Sequence, residues 1–185
     1  MSANTNRGFF PLKDFEQEDT ILAVIALSTT IYVGDAVYTG ATGHTKAVTP
    51  AASTADSLTG VVVGIEGVPS GHLPELGGGL VGGTPGDVVA GSGNETTPVY
   101  YARYIPLTLT NIKFSAQLSA TAGTTTDSDG VGSFSIKTSN AGQLDETTIQ
   151  LFSTVPAKQF WSYGLDSSDT AKFTVQGYFS KYYTN

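Results

Sequence analysis

Phe173-Thr174-Val175-Gln176-Gly177-Tyr178-Phe179-Ser180 alternates without a break. Phe173, Val175, Gly177 and Phe179 fall on one face, and Thr174, Gln176, Tyr178 and Ser180 on the other. A period of two is that of a strand with one face on a core and one in water. The same period returns upstream, where Phe134, Ile136 and Thr138 alternate with Ser133, Ser135 and Lys137.

Further strands follow from residue type. Thr30-Ile31-Tyr32-Val33 runs into Gly34-Asp35 and then Ala36-Val37-Tyr38-Thr39. These are β-branched and aromatic runs punctuated by turn residues. Val61-Val62-Val63-Gly64-Ile65, within Leu58 to Glu66, reads as a buried strand. Strands are also expected at Ile21 onward, Thr45 to Thr49 (closed by Pro50), Val99 to Tyr104, Leu107 to Leu118, Thr147 to Val155 and Phe160 to Tyr163. Helix is hinted only at Asp14 to Thr20 and Thr54 to Leu58. From Gly67 to Gly93, ten of 27 positions are glycine, with Pro69, Pro74 and Pro85 among them. Glycine costs backbone entropy and proline removes a donor, so this is a long loop with a short strand near Asp87 to Ala90. Close strand spacing predicts an all-β fold, a compact sandwich or barrel-like body of short antiparallel strands. Residues 1–20 read as an extended N-terminal arm, 21–185 as the β domain, and 67–93 as a Gly-rich insertion within it.

Composition narrows the function. The 185 residues are long enough to bury a core, and only 14% are charged. No cysteine is present, which removes disulfides, thiolate nucleophiles and thiolate metal sites. The formal charge is −7, and the nine Lys and Arg residues are scattered singly. A nucleic-acid binder needs a positive footprint, and an anionic membrane surface asks for the same, so neither partner is expected. The longest apolar run, Ile21 to Leu27, is too short to span a bilayer. Acids precede it where a secretion signal carries positive charge, so the chain is read as cytoplasmic when made. Asn94-Glu95-Thr96 is a formal glycosylation sequon, which carries no weight without secretion.

Chemical motifs are few. Gly77 to Gly82 matches G-x-G-x-x-G, but Pro74 and Pro85 stand where the flanking strand and helix belong. Asp127-Ser128-Asp129-Gly130 begins like a calcium loop, yet Val131 and Thr138 occupy ligand positions; a turn explains it. His44 and His72 are the only histidines. Asp166 and Asp169 could pair as carboxylates for sugar hydrolysis, or simply build a Ser-rich turn. No catalytic residue, metal or cofactor is expected.

The arm carries Phe9, Phe10, Pro11, Leu12 and Phe15. Each buried Phe contributes about 1.5–3 kcal/mol, so these rings should find a surface. They either pack on their own domain or cross to a neighbouring subunit.

The segments, in order, resemble the small decoration (cement) proteins on the capsids of tailed bacteriophages. Gly8-Phe9-Phe10-Pro11-Leu12 follows a polar start. Thr29 to Tyr38 resembles the strand, Gly-Asp, strand unit of that family, and Leu58 to Ile65 its following strand. Gln150-Leu151-Phe152 to Tyr163-Gly164-Leu165-Asp166, and then Phe173 to Tyr178, resemble two closing strands around an acidic turn. The resemblance implies a virion structural protein on the capsid surface, a homotrimer that binds major capsid protein across subunit boundaries and needs no cofactor. The arm residues Arg7, Phe9, Phe10, Pro11 and Phe15 are the expected clamp, with Trp161, Tyr182 and Tyr183 as further interface positions. A competing expectation is a tail or fibre-associated carbohydrate-binding module, which requires Trp161 or the aromatics from Tyr178 to Tyr183 to be exposed. An enzyme would instead require His44 and His72 to converge with acids in one cleft.

Overall fold

A computed structural model of the chain describes residues 8–13, 16–26, 29–39, 47–51, 57–67, 88–90, 93–94, 97–98, 100–108, 112–120, 129–150, 158–171 and 173–180. The fold is all-β. One sheet has six strands in the order β1 (Phe9–Pro11), β11 (Phe114–Gln117), β15 (Thr174–Phe179), β14 (Phe160–Leu165), β12 (Val131–Lys137) and β13 (Asn140–Gln150). A second has five, in the order β2 (Ile21–Val24), β10 (Tyr100–Pro106), β6 (Gly60–Gly67), β4 (Ala36–Thr39) and β5 (Val48–Pro50). Two short pairs complete the set, β3 (Thr30–Tyr32) with β7 (Val88–Ala90) and β8 (Gly93–Asn94) with β9 (Thr97–Pro98). All these strand pairs are antiparallel. Helix among the described residues is one 3-10 turn, Gln17–Asp19.

The two sheets share a core. Phe9, Phe114, Ala116, Phe134, Ile136, Leu144, Phe160 and Val175 come from the six-stranded side, and Ala36 and Val61 from the other. The five-stranded sheet buries its opposite face too, placing Val37, Val62, Ile65, Ala102 and Tyr104 in a second cluster with Ile31 and Val48. That double burial is why Val61-Val62-Val63 is continuously apolar. The register of β6 on β10 slips at Val63, since Arg103 faces Gly64 and Tyr104 faces Val62. This bulge resets the alternation, so Val62 and Ile65 reach the same cluster although they are three positions apart. Beyond the bulge, Arg103 pairs with Glu66 and donates from Nη1 to Thr20 Oγ1 at 2.9 Å.

The N-terminal strand is stitched into both sheets. β1 pairs with β11, putting Phe10 opposite Ser115. Phe9 donates its N–H to Gly34 O, 2.8 Å away, at the turn before β4. Gly8 there has φ +128°, and a Cβ on it would lie 2.6 Å from Gly34 Cα, so the two backbones meet where a side chain has no room. The Phe9 ring is 1% exposed. It lies 4.8 Å from Phe179 and 5.7 Å from Phe160, and Phe179 meets Phe114 edge-on at 5.3 Å. Four phenylalanines from four strands thus form one tilted cluster. Of the two readings of the arm, Phe9 follows own-domain packing and is not presented to a neighbour.

Several strand expectations are corrected. Leu107 and Thr108 form a turn, and among the described residues of the strand expected over Leu107 to Leu118 the strand is Phe114–Gln117. The strand expected from Thr147 begins at Asn140, because the turn at Thr138-Ser139 folds β13 directly back on β12. The strand expected over Thr45 to Thr49 is β5, which begins at Val48 among the described residues and ends on Pro50, a position tolerated because β5 is an edge strand and needs no donor on its outer side.

If Phe9 is the plug of this core, Phe9→Ala should lower unfolding stability by about 3–5 kcal/mol, while Phe10→Ala on the opposite face should cost under about 1 kcal/mol. Urea denaturation of the two variants beside the parent checks this.

Candidate functional site

Alternation along the six-stranded sheet leaves one face outside the sandwich. Phe10, Ser115, Gln117, Thr174, Gln176 and Tyr178 follow from the strand phase set by the buried Phe9, Phe114, Ala116 and Val175. Trp161 and Tyr163 take the same face on β14, whose Phe160 and Ser162 are buried. Trp161 stands opposite Tyr178 in the register and opposite Ser133 on its other side.

Toward the β1 edge this face holds a cleft of about 270 Å³. Phe10 and Gly8 form one wall, and Ser115, Gln117 and Thr174 the floor. Asp166, Ser168 and Asp169, from the turn between β14 and β15, form the other wall. Further along the face, past Gln176, the Tyr163 and Tyr178 rings meet edge-on at 5.4 Å. Tyr163 is 59% exposed. The slip between Ser162 and Gly164 leaves Tyr163 without a partner on β15, and this bulge turns its ring outward.

The acidic turn is internally bonded. Asp166 Oδ1 accepts from Ser168 N at 2.9 Å and from Ser168 Oγ at 2.7 Å. Asp169 Oδ1 accepts from Ala171 N and Oδ2 from Phe173 N, both at 2.9 Å. The Ser168 hydroxyl and amide hold the Asp166 carboxyl below its ordinary range, helped by Gln176 and by the positive charge of Lys113. Burial pushes Asp169 upward, but hydrogen bonds from the Thr174 side chain and the Ala171, Phe173 and Thr174 amides outweigh it and leave that carboxyl lowered as well. A general acid of a glycosidase pair needs the opposite displacement. The arrangement is therefore a pair of ionised acceptors fixed in a turn.

Of the sequence-expected interface residues, Phe10 lines the cleft and Pro11 is half-buried on the sheet edge beside it. Trp161 is on the same face but half-buried, two strands away from β11. Phe9 is inside. Arg7, Phe15, Tyr182 and Tyr183 lie outside the described residues, as do His44, His72 and the glycine-rich match at 77–82. Ser115, Gln117 and Thr174 were not singled out, although the polar phase of Thr174-Gln176-Tyr178 pointed to their face. The Gly34-Asp35 step proves structural: Asp35 is buried, and its Oδ2 accepts from Tyr32 N at 2.9 Å to close the turn.

Among the described residues, no group of three or more His, Cys, Asp or Glu side chains is placed to hold a metal ion. No helix among them is long and apolar enough to cross a membrane. Comparison with protein families, curated proteins and solved structures finds no match.

Both turn aspartates are more acidic folded than unfolded, so they stabilise the fold above the unfolded aspartate value of about 3.9 and lose that effect as pH falls below it. Asp169→Asn should therefore be less stable than the parent near neutrality, with the gap narrowing as pH falls below the unfolded aspartate value of about 3.9. Urea midpoints measured across that range test this.

Proposed function

We propose that this chain is a virion structural protein, a capsid decoration or cement protein that binds across major-capsid subunits as a homotrimer on the capsid surface. The observation that carries the reading is the placement of the N-terminal segment. Phe9 anchors β1 in the core, while Phe10, Pro11 and the exposed Leu12 are left along the sheet edge. A load taken by a neighbour gripping this edge passes straight into the sandwich. The resemblance of the segment order to that of phage decoration proteins supports the same reading, and those segments supply β1, β3, β4, β6, β14 and β15. A dispersed-cation surface of net charge −7 keeps such a protein off packaged DNA.

The mechanism is linkage. A protein that binds only the assembled lattice stabilises it by about 2.7 kcal/mol per site at a free concentration a hundredfold above Kd. Many sites act together, so each contact can be modest.

The test is co-sedimentation with undecorated phage shells, using the full chain and a Phe10→Ser/Leu12→Ser double variant. Phe9 is kept in both, so the sandwich survives. A trimer that sediments with shells and raises their disruption temperature, with loss of both effects in the variant, is the expected result. A full chain that is monomeric and stays in the supernatant would contradict the proposal.

A further inference from the structure

The cleft on the outer face asks for a ligand of its own, and this argument does not depend on the capsid reading. Its walls and floor present hydroxyls from Ser115, Ser168 and Thr174 and the two turn carboxylates, with Phe10 as the aromatic surface. Both carboxylates are ionised acceptors. Asp169 spends its acceptor positions on the amides of Ala171, Phe173 and Thr174 and on the Thr174 side chain, whereas Asp166 takes only the two Ser168 bonds and Gln176, so the remaining acceptor capacity of about one position lies with Asp166. The Ser168 and Thr174 hydroxyls, whose protons go to the turn carboxylates, the open acceptor position on Asp166 and the Phe10 side chain complement a ligand with many hydroxyl donors and an apolar C–H face. At about 270 Å³ the cleft is at the small end of ligand sites, enough for one ring and too small for a nucleotide. An apolar peptide side chain would leave the remaining acceptor position of Asp166 without a partner. An anionic ligand would face two ionised carboxylates in a chain of charge −7.

We infer that this cleft, between Phe10 on β1 and the Asp166–Asp169 turn, binds a neutral carbohydrate unit. Further sugar units would run along the face toward Tyr178 and Tyr163, whose rings lie beyond Gln176. The face is rigid where the ligand sits, because its carboxylates are already held by the turn, so little ordering cost accompanies binding.

The experiment is a titration of the full-length, isotope-labelled chain, following backbone amide resonances. The probes are the methyl glycosides of glucose, galactose, mannose and N-acetylglucosamine, the disaccharides cellobiose and lactose, and glucuronate as an anionic counterpart. At least one neutral sugar should shift the amides of Ser115, Ser168 and Thr174 saturably, with Kd about 1 mM, a usual strength for a small ligand with few contacts. Glucuronate should bind at least about tenfold more weakly. Ser115→Trp, which fills the cleft from the outer face, and Phe10→Ala, which removes its aromatic wall, should each weaken binding at least about tenfold while the remaining spectrum is kept. The inference is overturned if no neutral sugar shifts these amides at about 50 mM, a concentration well above the expected Kd. It is equally overturned if glucuronate binds as well, if shifts map only to Tyr163 and Tyr178, or if both variants bind like the parent. Failure of shell binding with sugar binding intact would remove the capsid proposal alone.

Discussion

The Phe9 ring packs on Phe160 and Phe179, which in turn meet each other and Phe114, and this cluster fixes the N-terminal strand in the core. Each ring pair in such tilted geometry adds about 0.5–1.5 kcal/mol beyond the area it buries. The position matters as much as the energy. β1 is three residues long and lies at a sheet edge, too short to hold itself by hydrogen bonds alone. With the ring inserted, the amide of Phe9 reaches Gly34 in the turn that leads into β4 of the other sheet, and one residue ties both layers together. Gly177 makes the cluster possible, because a Cβ there would lie 1.7 Å from Trp161 O and 2.7 Å from the Phe160 ring.

From that anchor the division of labour in the molecule follows. The five-stranded sheet is covered on both faces, by the shared core on one side and by the cluster around Ile31 and Val62 on the other. The six-stranded sheet is covered on both faces at β12, where Ser133 and Ser135 are buried as well as Phe134 and Ile136, but on one face only from β14 to β1. Its outer face is free to carry Phe10, Thr174, Tyr178 and Tyr163, and its turn carboxylates are fixed by their own backbone. Phe9 and Phe10 are neighbours in sequence, yet one closes the core and the other lines a cleft, because successive strand residues point to opposite sides.

Much of the architecture was legible because alternation is a direct imprint of one-sided burial. Thr174 to Phe179 assigned its two faces correctly, with Val175 and Gly177 inward, whereas Ser180, read as water-facing, is buried just past the end of the strand. The doubled apolar run at Val61 to Ile65 was also readable, though its bulge at Val63 was not, since a bulge depends on the partner strand. Asn140 to Asp145 was missed because Asn140, Gly142, Gln143 and Asp145 are poor strand formers locally, and only pairing with β12 fixes them. The cleft could not be read either. Its parts come from positions 8 to 174 and meet only through the strand order β1, β11, β15. The aspartates of 166 and 169 were recognisable as a turn, but their low proton affinity follows from amides that sequence does not place.

The account makes Phe9 the bolt between the sheets, and the exchange rate of its own amide hydrogen reports on that most directly. If the hydrogen bond to Gly34 O opens only when the ring leaves the core, the Phe9 amide should exchange through global unfolding, with the same opening free energy as core amides such as Ala116 and Phe134. Exchange of the Phe9 amide at the rate of an open, fraying terminus, while Ala116 and Phe134 stay protected, would contradict it: the sandwich would then be held together without its N-terminal strand.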